Sequence, residues 1–194
     1  SLFAELGSAV DYALETLGIT FRETENAELN SGTLTGSSEA DSFEVTGTTL
    51  TANAISVTNA ASAIDAGTGD DAVTVNDANS ALTGTDNELD TANYEFSSVE
   101  TVDLADNALT GTANADTFDV TGANALTSAG IDFTNVEVVN AGDGADQVNT
   151  DGADASLFAE LGSAVDYALE TLGITFRETE NADLNGGTLA GSSE

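Results

Sequence analysis

One 39-residue passage occurs twice in this chain, and no other feature limits its fold so tightly. Residues 1–39 read SLFAELGSAVDYALETLGITFRETENAELNSGTLTGSSE. Residues 156–194 repeat them with three changes, Glu28/Asp183, Ser31/Gly186 and Thr35/Ala190. The 194 residues therefore hold one complete period of 155 residues (1–155) and the start of the next (156–194). Near-identity at that distance means tandem copies. A sequence that starts without Met and stops inside a repeat is expected to be a window on a much longer, polymer-like chain.

A shorter unit lies inside the long one. An apolar residue, a spacer and Phe or Val, then Glu four positions on, recur as Ile19-Thr-Phe21…Glu25, Tyr94-Glu-Phe96…Glu100 and Ile131-Asp-Phe133…Glu137; Ile55-Ser-Val57 is a weaker version. Through to Phe176 the steps are 36, 39, 37 and 43 residues, so each period holds four units of about 39 residues. Their approximate bounds are 1–33, 34–81, 82–108 and 109–155. A second signature, LTGSSEADSFEVTG at Leu34–Gly47, comes back 75 residues later as LTGTANADTFDVTG at Leu109–Gly122. Each Gly- and Asp-rich turn leads into a short alternating run such as Phe43-Glu-Val45 or Phe118-Asp-Val120, the pattern of a half-buried strand after a turn.

The expected fold is all-β, a β-solenoid of the β-helix or β-roll kind built from these units. A string of Ig-like sandwiches of about 75–80 residues is the alternative, matching the offset between Leu34–Gly47 and Leu109–Gly122. The chain has no proline. Central strands exclude proline because they must donate their N–H to the ladder, so its absence favours the continuous solenoid. Residues 1–18 also carry helical spacing (Leu2, Phe3, Leu6, Val10, Ala13, Leu14, Leu17), yet Val10, Tyr12 and Leu14 alternate. A helix would leave neighbouring coils unpaired, so strand is the expectation.

Charge narrows the function. There are 35 acids against Arg22 and Arg177, with no Lys or His, for a net −33. Such a surface repels nucleic acid and anionic membranes. High acidity can mean disorder, but 40% of the residues are apolar and patterned. No run of about 18 apolar residues is present to span a membrane. Without Cys, Lys or His, thiolate metal sites, Cys nucleophiles and the usual general bases cannot be built, so no enzyme is expected.

Four segments resemble the calcium-binding nonapeptides of RTX-type (repeats-in-toxin) β-rolls. Ala66-Gly67-Thr-Gly69-Asp70-Asp71-Ala-Val73-Thr and Ala141-Gly142-Asp143-Gly144-Ala-Asp146-Gln-Val148-Asn are the nearer pair, and Gly36–Glu44 and Gly111–Asp119 are looser. More broadly, the array is similar to tandem-repeat regions of giant bacterial surface and adhesin-like proteins. The resemblance implies Ca2+ as a cofactor, with Asp71 and Asp146 the first candidate ligands, then Asp41 and Asp116, with Asp70 and Asp143 beside them. In that family the nonapeptides follow one another directly, whereas here the Asp positions are 30, 45, 30 and 50 residues apart. Each turn is therefore expected to lack the partner turn that completes an ion's shell. The competing reading is that these Asp residues only close turns through their own backbone.

Glu25, Glu100 and Glu137 are expected on a solvated face, and Arg22 in a local ion pair with Glu23 or Glu25. Phe21, Phe43, Phe96, Phe118 and Phe133 are expected to stack as the core. With coils of about 20 residues, one period makes roughly eight coils rising ~4.8 Å each, or ~37 Å. The period carries 28 acids and one Arg, about one net charge per 1.4 Å, comparable to duplex DNA at one per ~1.7 Å. Two functions fit. One is a structural module of a long secreted or cell-surface protein, forming a filament, stalk or adhesin shaft with further copies of itself, in tandem or end to end. The other is a calcium-dependent ligand- or glycan-binding module.

Overall fold

Alternating apolar residues and Gly/Asn turns give strands throughout the computed structural model, which describes residues 3–6, 14–16, 19–159 and 167–191. No helix occurs among them. The molecule is a β-solenoid. Where residues 1–18 are described, Phe3–Leu6 and Leu14–Thr16 are strands; Val10 and Tyr12 lie outside the described residues.

Hydrogen-bonded pairing sorts the strands into two ladders. The first runs Ile19–Phe21, Leu14–Thr16, Phe3–Leu6, 33–35, 63–65, Glu95–Ser97, Glu88–Thr91, Ser80–Leu82, Ala108–Thr110, Val138–Asn140, Ile174–Arg177, Tyr167–Thr171, Ala155–Ala159 and Leu189–Ala190. The second runs 26–28, 55–58, Thr49–Ala52, Ser42–Thr46, Ala72–Val75, Thr101–Asp103, Ile131–Thr134, Ala125–Ser128, Thr117–Gly122, Gln147–Asn149 and Asn181–Asp183. The long strands Asn26–Thr35 and Ile55–Asp65 pass from the second ladder into the first. Phe43 meets Phe96 edge-on at 5.6 Å, and Phe118 lies 6.0 Å from Phe176. In each pair one ring comes from each ladder, so the ladders enclose a single core.

Each 39-residue unit contains a three-stranded antiparallel meander, and successive meanders alternate between the ladders. Ser42–Thr46, Thr49–Ala52 and the start of Ile55–Asp65 form one in the second ladder; Ser80–Leu82, Glu88–Thr91 and Glu95–Ser97 form the next in the first. The Phe or Val of the short signature lies in the third strand of each meander. The offset from Phe43 to Phe118 is two meanders, after which the chain returns to the same ladder. Tight turns with both central residues at positive φ close several hairpins, as at Asn53-Ala54 (φ 45 and 65) and Ala129-Gly130 (φ 49 and 77). Their twist matches that of the flanking strands.

Two sequence expectations are corrected here. The coils are longer than the spacing of the motifs suggests: Val73 takes Val102 as its parallel partner, and Val139 takes Phe176. Ten ladder steps separate Ile19–Phe21 from its copy Ile174–Arg177, so one period rises about 48 Å at ~4.8 Å per step. The net charge of −27 per period then falls about every 1.8 Å, still close to the ~1.7 Å of duplex DNA. The second correction is Phe21. Phe43, Phe96, Phe118 and Phe133 are fully buried, but Phe21 is 46% exposed. It lies on the end strand of the first ladder, with no row beyond it among the described residues.

Candidate functional site

Every passage from the first ladder to the second ends in an acid placed one residue before a strand. Glu25, Asp41, Asp71, Glu100, Asp116, Asp146 and Glu180 directly precede the second-ladder strands that start at Asn26, Ser42, Ala72, Thr101, Thr117, Gln147 and Asn181. These acids form a column along one edge of the solenoid. A corner backbone N–H has no ladder partner and must find an acceptor elsewhere.

The column supplies that acceptor across rows. The Asp41 N–H donates to Asp71 Oδ1 at 2.7 Å, and the Asp71 N–H donates to Glu100 Oε2 at 2.8 Å. The second trio repeats the pattern, Asp116 N–H to Asp146 Oδ1 at 2.8 Å and Asp146 N–H to Glu180 Oε2 at 2.8 Å. The first acid of each trio also closes its own turn: the Ser37 N–H donates to Asp41 Oδ2, and the Thr112 N–H to Asp116 Oδ2. Asn53 Nδ2 donates to the other Asp41 oxygen, and Asn87 Nδ2 to Glu100 Oε1.

The turns that carry these acids lie directly on one another. A Cβ built on Gly36 would come within 1.6 Å of the Ala66 carbonyl oxygen, and one on Gly111 within 2.0 Å of the Ala141 carbonyl oxygen. Those positions must be glycine because backbone runs against backbone. The Asp41 turn is thus the row neighbour of the Asp71 turn, and the Asp116 turn that of the Asp146 turn. The expectation that each turn lacks a partner is overturned. The stretch of chain from Asp41 to Asp71, or from Asp116 to Asp146, is one parallel step. The larger gaps are taken up by the intervening meanders and extra corners.

Burial separates the candidate ligands. Asp71 and Asp146 are fully buried, Asp41 nearly so, Asp116 half-buried, and Asp70 and Asp143 exposed in the turns. Desolvation is the largest influence on Asp71 and pushes its pKa up to about 6; the hydrogen bond from the Asp41 N–H opposes this, and the charges of Asp41, Glu100 and Asp70 add to it. Asp146 is raised for the same leading reason, with Glu180, Asp116 and Asp143 as its charged neighbours. In both residues Oδ1 is occupied, while Oδ2 is buried without a partner.

Calcium takes six to eight oxygens. Each middle Asp offers one free oxygen; Asp41 and Glu100 spend both of theirs on N–H donors, while in the second trio Glu180 accepts through Oε2 and Asp116 accepts from the Thr112 N–H and hydroxyl. Among the described residues no group of three or more acids gathers to hold a metal. Sequence reasoning missed Glu100 and Glu180 as members of this column. Glu100 is half-buried and bonded to two donors, although a solvated face was expected; Glu25 and Glu137 are exposed. The available signal was the position of Glu four residues after a first-ladder Phe, which puts Glu25, Glu100 and Glu180 at the same corner as the nonapeptide Asp; Glu137, four residues after the second-ladder Phe133, precedes a first-ladder strand instead.

No family model, no curated protein and no solved structure matches this chain. Among the described residues no helix is long and apolar enough to cross a membrane.

Proposed function

We propose that the chain is an architectural module, one period of the shaft of a very long secreted or cell-surface protein such as a filament, stalk or adhesin. The observation that carries this reading is continuity across residue 155. Val139 pairs with Phe176, Val148 with Ala182 and Ala155 with Leu189, so both ladders run from one copy into the next without a linker. A stack of this kind lengthens by adding rows, and each row contacts only its neighbours. Its charge density calls for screening by cations, which suits a saline or calcium-rich exterior.

The test is length. Chains with one, two and four further periods, measured by small-angle scattering or electron microscopy, should be rods that grow by about 48 Å per period at constant width. Growth as a flexible string of separate globules would refute the shaft.

Calcium-dependent ligand or glycan binding is the second reading, favoured by the buried, unpartnered Oδ2 atoms of Asp71 and Asp146. Thermal unfolding followed by circular dichroism separates the two. A β spectrum that requires millimolar Ca2+ and is not restored by matched NaCl supports a metal site. A β spectrum present in EDTA and strengthened by any salt supports screening alone.

A further inference from the structure

Residues 19–28 end both ladders, and residues 174–183 are the same sequence apart from Glu28/Asp183. The second copy shows what the first one lacks. Ile174 and Phe176 are fully buried, while Ile19 is 56% and Phe21 46% exposed. Both strands have an antiparallel neighbour on one side, Leu14 opposite Phe21 and Leu169 opposite Phe176. Among the described residues only the second copy has a parallel neighbour on the other side, Val138–Asn140, with Val139 opposite Phe176.

We infer that the end formed by residues 19–28 is a docking surface for a second copy of the repeat, which presents its Val138–Asn140 and Gln147–Asn149 strands. The inference rests on the shaft reading and gives it a register. The existing junction dictates that register: Val139 opposite Phe21 and Val148 opposite Ala27, each one period before an observed pair. The polar bonds carry over too. The Thr175 N–H donates to the Glu137 carbonyl at 3.0 Å and the Asn181 N–H to the Asp146 carbonyl at 2.9 Å. Thr20 and Asn26 take those donor places at the new junction.

Glu25 makes the fit specific. Its equivalent, Glu180, accepts the Asp146 N–H and completes an acid trio. Glu25 is exposed, the last acid of a trio whose first two members belong to the docked copy. Unpaired edges with exposed apolar residues invite strand addition, and here the partner of matching shape is the repeat itself.

The experiment joins one further copy of residues 1–155 ahead of the present chain and follows amide exchange by mass spectrometry. In the present chain the amides of 19–28 that face the open edge should exchange freely, and those of 174–183 slowly. In the extended chain the 19–28 segment should slow by at least tenfold, toward the rate of 174–183, which serves as an internal check that the fold is intact. Glu25→Gln in the extended chain should leave most of that protection and raise exchange locally at the Asp146 amide of the added copy. Unchanged, fast exchange at 19–28 overturns the inference, whether the added copy folds apart or not at all. Rods that still lengthen while 19–28 stays unprotected would keep the shaft and reject this junction.

Discussion

Residues 19–35 and 174–190 differ at three positions and join the same two ladders, yet their burial is inverted. Ile19 and Phe21 lie open where Ile174 and Phe176 are sealed. Leu34 is 1% exposed where its copy Leu189 is 50% exposed. Ala27 is buried where Ala182 is exposed. Among the described residues the first copy lacks a row on one side, and the second lacks one on the other. Ile64 pairs with Leu34, and nothing among the described residues takes that place beyond Leu189. In a quasi-one-dimensional fold, burial belongs to the neighbouring rows as much as to the residue.

Identical substitutions in the two copies should therefore have unequal effects. The largest contrast is Phe176→Ala against Phe21→Ala. Removing the sealed ring should cost about 3–5 kcal/mol in denaturant unfolding, and removing the open one about 0.5 kcal/mol, as at a surface site. Leu34→Ala and Leu189→Ala should reverse the order of the copies. The first should cost about 2–5 kcal/mol and the second about 0.5 kcal/mol. Equal penalties in either pair would break the comparison.

The acid column sets a smaller contrast, between trios that are complete and the lone Glu25. Asp71→Ala leaves the buried Asp41 N–H without its acceptor and should cost about 1–3 kcal/mol. Asp71→Asn keeps an oxygen there and should cost less. Glu25→Ala should change stability little. The pH dependence has a definite sign. With Asp71 raised to about 6 from 3.8, the folded chain binds a proton more readily than the unfolded one between those values. Stability is gained on acidification from pH 7 to 5 and lost as pH rises through about 6. Thermal melts should show this, and Asp71→Asn should flatten the slope. The smallest effect is expected at Ser31, whose φ is 65 and whose copy is Gly186. Ser31→Gly should stabilise by at most about 1 kcal/mol, the left-handed penalty less glycine's entropy.

Much of this architecture could be read from the sequence. Alternation at Phe43-Glu-Val45 and Phe118-Asp-Val120 marked strands, and the spacing of Phe96, Phe133 and Phe176 marked the meander unit. The interleaving of two ladders could not be read, because spacing gives a period without saying which face each unit joins. That is why shorter coils were expected than the step from Asp41 to Asp71, and why those two turns looked isolated. The role of Glu100 was hidden for a similar reason. Its partner, the Asp71 N–H, lies 29 residues away in sequence and becomes adjacent only through the stack. Phe21 looked like core because periodicity marks the face that points inward; whether a further row closes over that face depends on the neighbour.

The most direct test of the central claim uses the absence of native cysteine. Ile19→Cys and Ile174→Cys, made separately in the 194-residue chain, place one thiol at the same sequence position of each copy. Labelling with a small thiol reagent under native conditions should be fast at 19. At 174 it should be slower by about a hundredfold or more, since the thiol there reacts only when the rows open. Equal labelling rates would mean that the neighbouring rows do not seal the second copy, and the stacked-ladder account would fail.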